Sequence, residues 1–553
     1  MRRLLSAAVC CACLTAIAPG APSAAAETDP GGPPVTSSTV SPKPPSTGAQ
    51  PYASYWYPDT LLRWDPRTDP DAPFNRSRTP LRPRVSDPAL KANPNARAGE
   101  GRVVSLVSFA PTSFNPSQGE LDSNYYAFGY WQYIDTLVFW GGSAAEGLIL
   151  APNPTVIDAA HRNGVKVYGT VFFPPAVYGG RFEWVRDLLK RDGSRFPVAD
   201  KLNEVARYYG FDGWFINQET EGGDPRTAAD MREFIKYARA GDPSVEYMWY
   251  DAMTEDGEID WQNALTAKND AFLNDPAPVA NSMFLNFWWT ASGLDASRAA
   301  ARALGRSEYE LFAGIDTEAN GYNTNVKWDA VFPEGRPHVT SLGIYRPEWT
   351  WRGAADRADF YARDSRFWVG EKGDPSDTAT TSPWKGLATY LAESSPITAK
   401  PFVTSFNAGH GDFYNVDGRR VRTGGWHNLS LQDVPPTYRW VVNSSGTRLT
   451  PSIDFADAYE GGSSLRLTGR LDAENTVRLY QTRLRVDRDT KLSVVLKTPS
   501  AGPSRLRVAI AFADSPTVFR TLDLGPTRGG DWERRTLDLS RFAGRTIAQI
   551  GLR

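Results

Sequence analysis

Cysteine is confined to one end of this sequence of 553 residues. Its three cysteines, Cys10, Cys11 and Cys13, all lie within the first 26 residues. The rest of the chain therefore offers no disulfide, no thiol nucleophile and no cysteine ligand for a metal. Histidine is nearly as scarce, with four residues, and His161 and His338 fall on a predicted helix and just before a predicted strand. We therefore expect no metal site and no cofactor.

Long apolar runs and an excess of one charge are also missing. After residue 26 no apolar run approaches the roughly 20 residues of a membrane-spanning helix, so we expect no contact with a membrane. The 61 Lys and Arg nearly balance the 63 Asp and Glu, which argues against nucleic acid as a partner. No Gly-x-Ser-x-Gly motif of a serine hydrolase occurs. We expect a monomer.

The first 26 residues have the pattern of a secretory signal peptide. Arg2 and Arg3 precede an almost wholly apolar or small stretch from Leu4 to Ile17, and residues 24–26 offer an Ala-x-Ala cleavage site. This pattern predicts a secreted, extracellular protein. Residues 27–50 are rich in Pro, Ser, Thr and Gly, and a disordered linker is predicted there.

Eight short β-branched or aromatic runs follow from about residue 102. They are Val103–Phe109, Thr136–Trp140, Lys166–Phe173, Phe211–Asn217, Val245–Tyr250, Ser282–Trp288, Glu310–Ile315 and Val339–Tyr345. Helical patterns lie between them, and glycine often marks their ends. Eight strand–helix units in about 250 residues predict an α/β protein with a (β/α)8 TIM barrel. A doubly wound sheet is the alternative, but no Gly-rich phosphate fingerprint follows the first strand.

The barrel and an irregular aromatic lead-in are predicted to occupy residues 51–400. Residues 401–553 show short alternating strands separated by turns, which predict a C-terminal β-sandwich of the jelly-roll kind. Sugar binding and structural support of the barrel are both open for this region.

Two polar residues end the fourth predicted strand. Asn217 and Glu219 are two residues apart, so their side chains should share one face. Barrel enzymes carry their sites at the C-terminal ends of the strands. Most of the other residues predicted there are aromatic, as in a carbohydrate cleft: Trp140, Phe172, Tyr178, Asn286 and Asp316.

The chemistry of this pair favours glycoside hydrolysis. Glu219, packed among aromatic residues, should keep a raised pKa and donate a proton to the leaving oxygen. Asn217 is an amide and cannot be a nucleophile, but it can hold a substrate 2-acetamido group whose carbonyl oxygen attacks the anomeric carbon. That is retaining, substrate-assisted catalysis through an oxazoline. The alternatives are a structural pair, a non-catalytic glycan-binding protein, or a conventional retaining glycosidase with Asp251, Asp316 or Glu318 as nucleophile.

Several long motifs resemble glycoside hydrolase family 85, the endo-β-N-acetylglucosaminidases. They are Phe211-Asp-Gly-Trp-Phe-Ile-Asn-Gln-Glu-Thr220, Trp249–Asn263, Phe284-Leu-Asn-Phe-Trp-Trp289, Ala313-Gly-Ile-Asp316, Pro347-Glu-Trp-Thr-Trp351, Ser405–Gly411 and Trp426–Trp440. A chitinase is the nearest competitor, but Phe215 and Asn217 replace the two inner aspartates of its Asp-Gly-x-Asp-x-Asp-x-Glu strand.

The resemblance implies cleavage of the GlcNAc-β-1,4-GlcNAc bond in the diacetylchitobiose core of N-linked glycans, on glycoproteins or glycopeptides. It implies that Glu219 is the acid/base, that Asn217 orients the acetamido group and that Tyr250 hydrogen-bonds in the same pocket. Trp261, Trp288 and Trp289 match aromatic residues that line the subsites. Some transglycosylation is also implied.

Overall fold

The computed structural model describes residues 51–109, 112, 115–502 and 505–553. The predicted signal peptide and linker lie outside these residues. Eight strands form the parallel barrel: β1 (Val103–Ser108), β2 (Thr136–Trp140), β3 (Lys166–Phe173), β4 (Gly213–Gln218), β5 (Glu246–Tyr250), β6 (Ser282–Leu285), β7 (Leu311–Asp316) and β8 (Ser341–Tyr345). Two short antiparallel strands, Tyr55–Trp56 and Ile149–Leu150, extend the same sheet from β3. Each barrel strand pairs in parallel with the next, and β8 pairs with β1. The predicted TIM barrel is confirmed.

Helices surround the barrel and connect most of its strands. In chain order they are α1 (Pro58–Leu62), α2 (Pro154–Arg162), α3 (Phe182–Leu188), α4 (Pro197–Tyr209), α5 (Pro225–Gly241), α6 (Ala291–Ala303), α7 (Trp328–Val331), α8 (Trp349–Arg352) and α9 (Arg357–Trp368). The stop predicted at Gly210 is confirmed, because this residue follows α4 with a left-handed φ of 80°. Gly241 was expected beyond its helix but is the last residue of α5.

Two of the eight expected strand–helix units have no α-helix in the described part of the chain. A 3-10 turn at Trp131–Tyr133 lies between β1 and β2. Residues 251–281 connect β5 to β6 and contain a 3-10 turn, Asp270–Phe272, and two very short strands. This connection is rich in Asp and Asn, whose side chains bond to nearby backbone groups in place of helical bonds.

Two cores hold the barrel together. Inside it pack mainly large apolar and aromatic side chains: Val104, Leu106, Val138, Tyr168, Phe215, Met248, Phe284 and Phe312. Glycine is required opposite Phe284, because a Cβ at Gly343 would lie 2.1 Å from its ring. A second and larger core lies between the outer faces of the strands and the helices. The interior of the barrel is therefore filled, and a pocket in the described part of the barrel has to lie at the ends of its strands.

The region after the barrel consists of antiparallel strands: β9 (His410–Val416), β10 (Arg419–His427), β11 (Val441–Ser444), β12 (Thr450–Asp454), β13 (Ser464–Thr468), β14 (Asn475–Arg485), β15 (Lys491–Leu496), β16 (Arg507–Phe512), β17 (Ser515–Asp523), β18 (Glu533–Asp538) and β19 (Thr546–Leu552). Five form one sheet in the order β11-β14-β19-β16-β17, and the others form the two-stranded sheets β9–β10, β12–β13 and β15–β18. The predicted antiparallel C-terminal architecture is confirmed, although the β9–β10 hairpin was not anticipated.

The two regions are in contact. The Trp131 indole N–H donates to Gln432 Oε1 at 2.7 Å, and Ser430 Oγ donates to Asp158 at 2.7 Å. Where one domain ends and the next begins stays a prediction. Among the described residues, none of the helices has the length and apolar character needed to cross a membrane.

Candidate active site

The end of β4 directs two polar side chains to the mouth of the barrel. Phe215 lies inside the barrel, so Asn217, two residues on, faces the same side. Gln218 faces away and closes the strand end: its side chain accepts from Thr220 N and donates to Thr220 O, both at 2.8 Å. Asn217 is 5% exposed and Glu219 is 4% exposed. The predicted pair therefore shares one buried face.

Glu219 is a buried carboxyl group with two neutral donors. The Trp261 indole N–H donates to its Oε1 at 3.1 Å, and the side chain of Asn217 donates as well. Burial raises the pKa of Glu219 to about 8, with a contribution from the nearby charge of Glu221, while the two hydrogen bonds oppose the shift. Glu219 therefore holds a proton near neutrality, as a general acid requires.

The side-chain oxygen of Asn217 is a hydrogen-bond acceptor without a donor among the described residues. This Oδ1 atom is buried. Buried polar atoms are nearly always paired, and an unpaired one costs about 1–3 kcal/mol. The side chain thus offers its N–H to Glu219, and its oxygen is left to accept one further hydrogen bond.

Tyr250 and Asn286, predicted from different strands, meet in the same pocket. The Tyr250 hydroxyl donates to Asn286 Oδ1 at 2.7 Å, and both residues are buried. The Tyr250 ring lies 6.1 Å from that of Phe215. The C-terminal ends of β4 and β5 and the residue after β6 therefore supply buried polar groups at the same end of the barrel.

An aromatic wall lies beside these groups, because Phe172 of β3 pairs in register with Asn217 of β4. Trp140 is its centre, with ring centroids 5.3 Å from Phe172 and 5.5 Å from Tyr345. Phe287 continues the wall, 5.7 Å from Tyr345. The sequence predicts no function for Phe287 or Tyr345, although Tyr345 ends the eighth predicted strand.

The remaining predicted residues are placed differently. Trp288 is 61% exposed, and Tyr178 is also exposed, on the loop after β3. Asp316 is exposed at the end of β7. Trp289 is only 8% exposed, packs in the core outside the barrel and donates its indole N–H to Gly314 O at 2.7 Å. The structure does not bring Trp289 to the pocket.

The three carboxyl groups considered as nucleophiles differ in availability. Asp251 is fully buried and accepts hydrogen bonds on both oxygens. Glu318 pairs with Arg346 at 2.9 Å. Asp316 accepts the backbone N–H of Glu318 at 2.9 Å. Each group is engaged by neighbouring protein atoms, whereas Asn217 Oδ1 has no hydrogen-bond partner among the described residues.

A glutamine at position 219 is expected to stabilise the fold in a pH-dependent manner. Wild-type Glu219 has a folded pKa of about 8 against an ordinary 4.5. Its ionisation therefore costs no stability below pH 4.5, where both states are protonated, and progressively more as the pH rises to 8. At about 1.4 kcal/mol per unit, Glu219→Gln should gain a few kcal/mol at pH 8. Denaturant unfolding of both proteins from pH 4.5 to 8.5 measures the difference, and a constant difference would contradict the burial described here.

The comparisons with known proteins are consistent with one another. The model of glycosyl hydrolase family 85 matches residues 111–414. The glycoside hydrolase domain of Endo-D from Streptococcus pneumoniae superposes with a TM-score of 0.82 at 34% identity, covering 91% of this chain and 80% of that one. Cytosolic endo-beta-N-acetylglucosaminidase 1 of Arabidopsis thaliana is 26% identical over 82% of this chain and 62% of its own length. The Homo sapiens protein of that name, without a number, is 28% identical over 71% and 50%.

These relatives correct one prediction. The signal-like residues 1–26 predict secretion, and this prediction is wrong, because the curated relatives are named cytosolic enzymes. A basic, apolar and small-residue pattern is compositional, and it does not by itself establish export. The chain spans between 50% and 62% of the length of the curated relatives it matches.

Proposed function

The chain belongs to glycosyl hydrolase family 85, and on that premise we propose that it is an endo-β-N-acetylglucosaminidase acting on N-linked glycans. It cleaves the GlcNAc-β-1,4-GlcNAc bond of the diacetylchitobiose core and leaves one GlcNAc on the peptide. The names of its relatives support this activity. The observation that carries the proposal is the unpartnered Oδ1 of Asn217 next to a buried Glu219.

The first step forms the oxazoline in its protonated form, an oxazolinium ion, because the acetamido nitrogen keeps its proton. The acetamido N–H of the donor GlcNAc donates to Asn217 Oδ1, which turns the acetamido carbonyl oxygen towards the anomeric carbon. This oxygen attacks, the bond to the leaving GlcNAc oxygen breaks, and Glu219 gives its proton to that oxygen. The raised pKa of Glu219 provides this proton at neutral pH.

The second step consumes the oxazoline. Glu219, now a carboxylate, takes a proton from water as the water oxygen attacks the anomeric carbon and the acetamido group re-forms. Two inversions give overall retention. A sugar hydroxyl in place of water gives transglycosylation, and exposed Trp288 provides an aromatic face on which an acceptor sugar can stack.

The other pocket residues hold the donor. Tyr250, with its hydroxyl fixed by Asn286, borders the acetamido site. The wall of Trp140, Phe172 and Tyr345 presents ring faces to sugar C–H surfaces. Sugar binding by residues 401–553 stays a prediction, as does the monomeric state.

Product analysis tests the proposed activity. A high-mannose N-glycopeptide is incubated with the protein, and the masses of both products are measured by mass spectrometry. We expect a peptide that keeps one N-acetylhexosamine and a glycan that ends in the other. An intact glycopeptide, or a peptide stripped of both sugars, would overturn the proposal.

Substituting the engaged carboxyl groups should affect cleavage little. Asp316→Asn and Glu318→Gln are each expected to lower kcat/KM by less than about ten-fold, because the nucleophile comes from the substrate. Initial rates on the same glycopeptide measure this. Loss of all activity in Asp316→Asn, with full activity in Asn217→Ala, would instead show a conventional protein nucleophile.

A further inference from the structure

Asp251 follows the last residue of β5, and its carboxylate is fully buried. Oδ2 accepts the backbone N–H of Asn263 at 2.6 Å. Oδ1 accepts from Gln262 N at 3.3 Å and from Asn269 Nδ2 at 2.8 Å. The backbone N–H of Asn286 donates to the same carboxylate. One side chain therefore ties the 251–281 connection to the ends of β5 and β6.

Asn263 is hydrogen-bonded to two tryptophans. Its backbone has a left-handed φ of 55°, which few residues other than glycine and asparagine adopt readily. Its side chain donates to Trp261 O at 3.0 Å and accepts Trp288 N at 2.9 Å. The positions of both tryptophan backbones therefore depend on Asn263.

Trp261 completes the connection to the reacting group. Its indole N–H donates to Glu219 Oε1 at 3.1 Å. A continuous series of hydrogen bonds thus runs from Asp251 through Asn263 and Trp261 to Glu219. Every donor to Asp251 named above is neutral, and a buried carboxyl group without a cation is costly to retain for packing alone.

We propose that Asp251 is a positioning residue: it holds residues 261–263 so that the Trp261 indole meets Glu219. It acts through Trp261 and does not touch the substrate. The proposal rests on the proposed function, because its rate measurements require cleavage of a glycopeptide. It assigns a task to the carboxyl group that the pocket chemistry leaves unused.

The isosteric substitution Asp251→Asn tests this. An amide group would face the backbone N–H donors of Gln262 and Asn263, so the connection should shift. We expect kcat/KM to fall by about 10- to 100-fold. Since the Trp261 bond lowers the pKa of Glu219, its loss should move the alkaline limb of the pH profile up by about one unit.

Asp364 provides a matched control. It is also buried, burial raises its pKa to about 7, and it accepts from Thr350 Oγ1 at 3.1 Å and Trp368 Nε1 at 3.2 Å. Burial raises the pKa of Asp251 to a similar value, about 7. Asp364→Asn should leave the alkaline limb where it is in wild type, whatever change it makes to the melting temperature. A merely structural effect of Asp251 would give the same result as Asp364→Asn.

A second variant keeps the test decisive if Asp251→Asn does not fold. Asn263→Gly tolerates the left-handed backbone but removes the side-chain hydrogen bonds to Trp261 and Trp288. The alkaline limb of the pH profile should therefore again move to higher pH. Trp261→Phe should do the same, and combining it with Asp251→Asn should add no further shift. A folded Asp251→Asn or Asn263→Gly with the wild-type alkaline limb overturns the proposal.

Failure of the proposed function would be separately visible. If wild type cleaves no glycopeptide, the proposed activity is wrong. The pKa of Glu219 can still be read without turnover, from the pH dependence of the unfolding free-energy difference between proteins with Glu or Gln at position 219. An upward shift of that pKa in the Asp251→Asn background supports the positioning, and an unchanged pKa overturns it.

Discussion

Cleavage of the glycopeptide by Glu219→Ala is expected to fall by about 10²–10⁴-fold, the usual contribution of a general acid. The leaving GlcNAc oxygen is a poor leaving group without a proton, and Glu219 is the protonated group that Trp261 and Asn217 hold at the barrel mouth. Initial rates with wild type and variant at neutral pH measure the loss.

The leaving group separates this explanation from a simple loss of structure. A donor with an activated aryl leaving group needs no proton, so Glu219→Ala should lose far less activity on it. Glu221→Gln is a matched control, because Glu221 is exposed and accepts Ala176 N at 2.8 Å; its rates should stay near wild type. An equal loss on both donors in Glu219→Ala would contradict the acid role.

Asn217→Ala should be nearly as damaging, with a loss of about 10²–10³-fold. Without the Asn217 oxygen, the acetamido group is no longer turned towards the anomeric carbon, and the attack becomes rare. Glu219 also loses one of its two neutral donors, so its pKa should rise further. Rates on the glycopeptide, corrected for folded fraction, measure the effect.

A preformed glycan oxazoline bypasses the step that Asn217 assists. Asn217→Ala should therefore still open this donor and transfer its glycan to a GlcNAc-peptide acceptor. Glu219→Ala should fail in the same assay, because no carboxylate is left to take the acceptor proton. If Asn217→Ala were as impaired on the oxazoline as on the glycopeptide, Asn217 would not act in the first step.

The strand periodicity predicted the barrel and the shared face of Asn217 and Glu219 because both depend on local backbone geometry. The predicted strands agree with the observed ones to within a few residues. The largest difference is the run expected to reach Trp288, whose strand ends at Leu285. Trp288 therefore lies on a loop, where strand alternation no longer tells which way a side chain points.

The features that the sequence did not predict depend on tertiary contacts. Trp289 satisfies its indole on Gly314 O, a partner on another strand that no local pattern indicates. The 251–281 connection was expected to contain a helix. Instead, the backbone N–H groups of Gln262 and Asn263 donate to the Asp251 carboxylate. That difference matters for function, because the same connection delivers Trp261 to Glu219.

The most direct test of the account is to weaken the substrate's own nucleophile. Donors are prepared in which the acetamido methyl group carries zero, one, two or three fluorine atoms, and kcat/KM is measured for each. Fluorine withdraws electrons from the carbonyl oxygen, so we predict a steep, monotonic fall along the series. Rates independent of fluorine content would contradict the account, because the nucleophile would then belong to the protein.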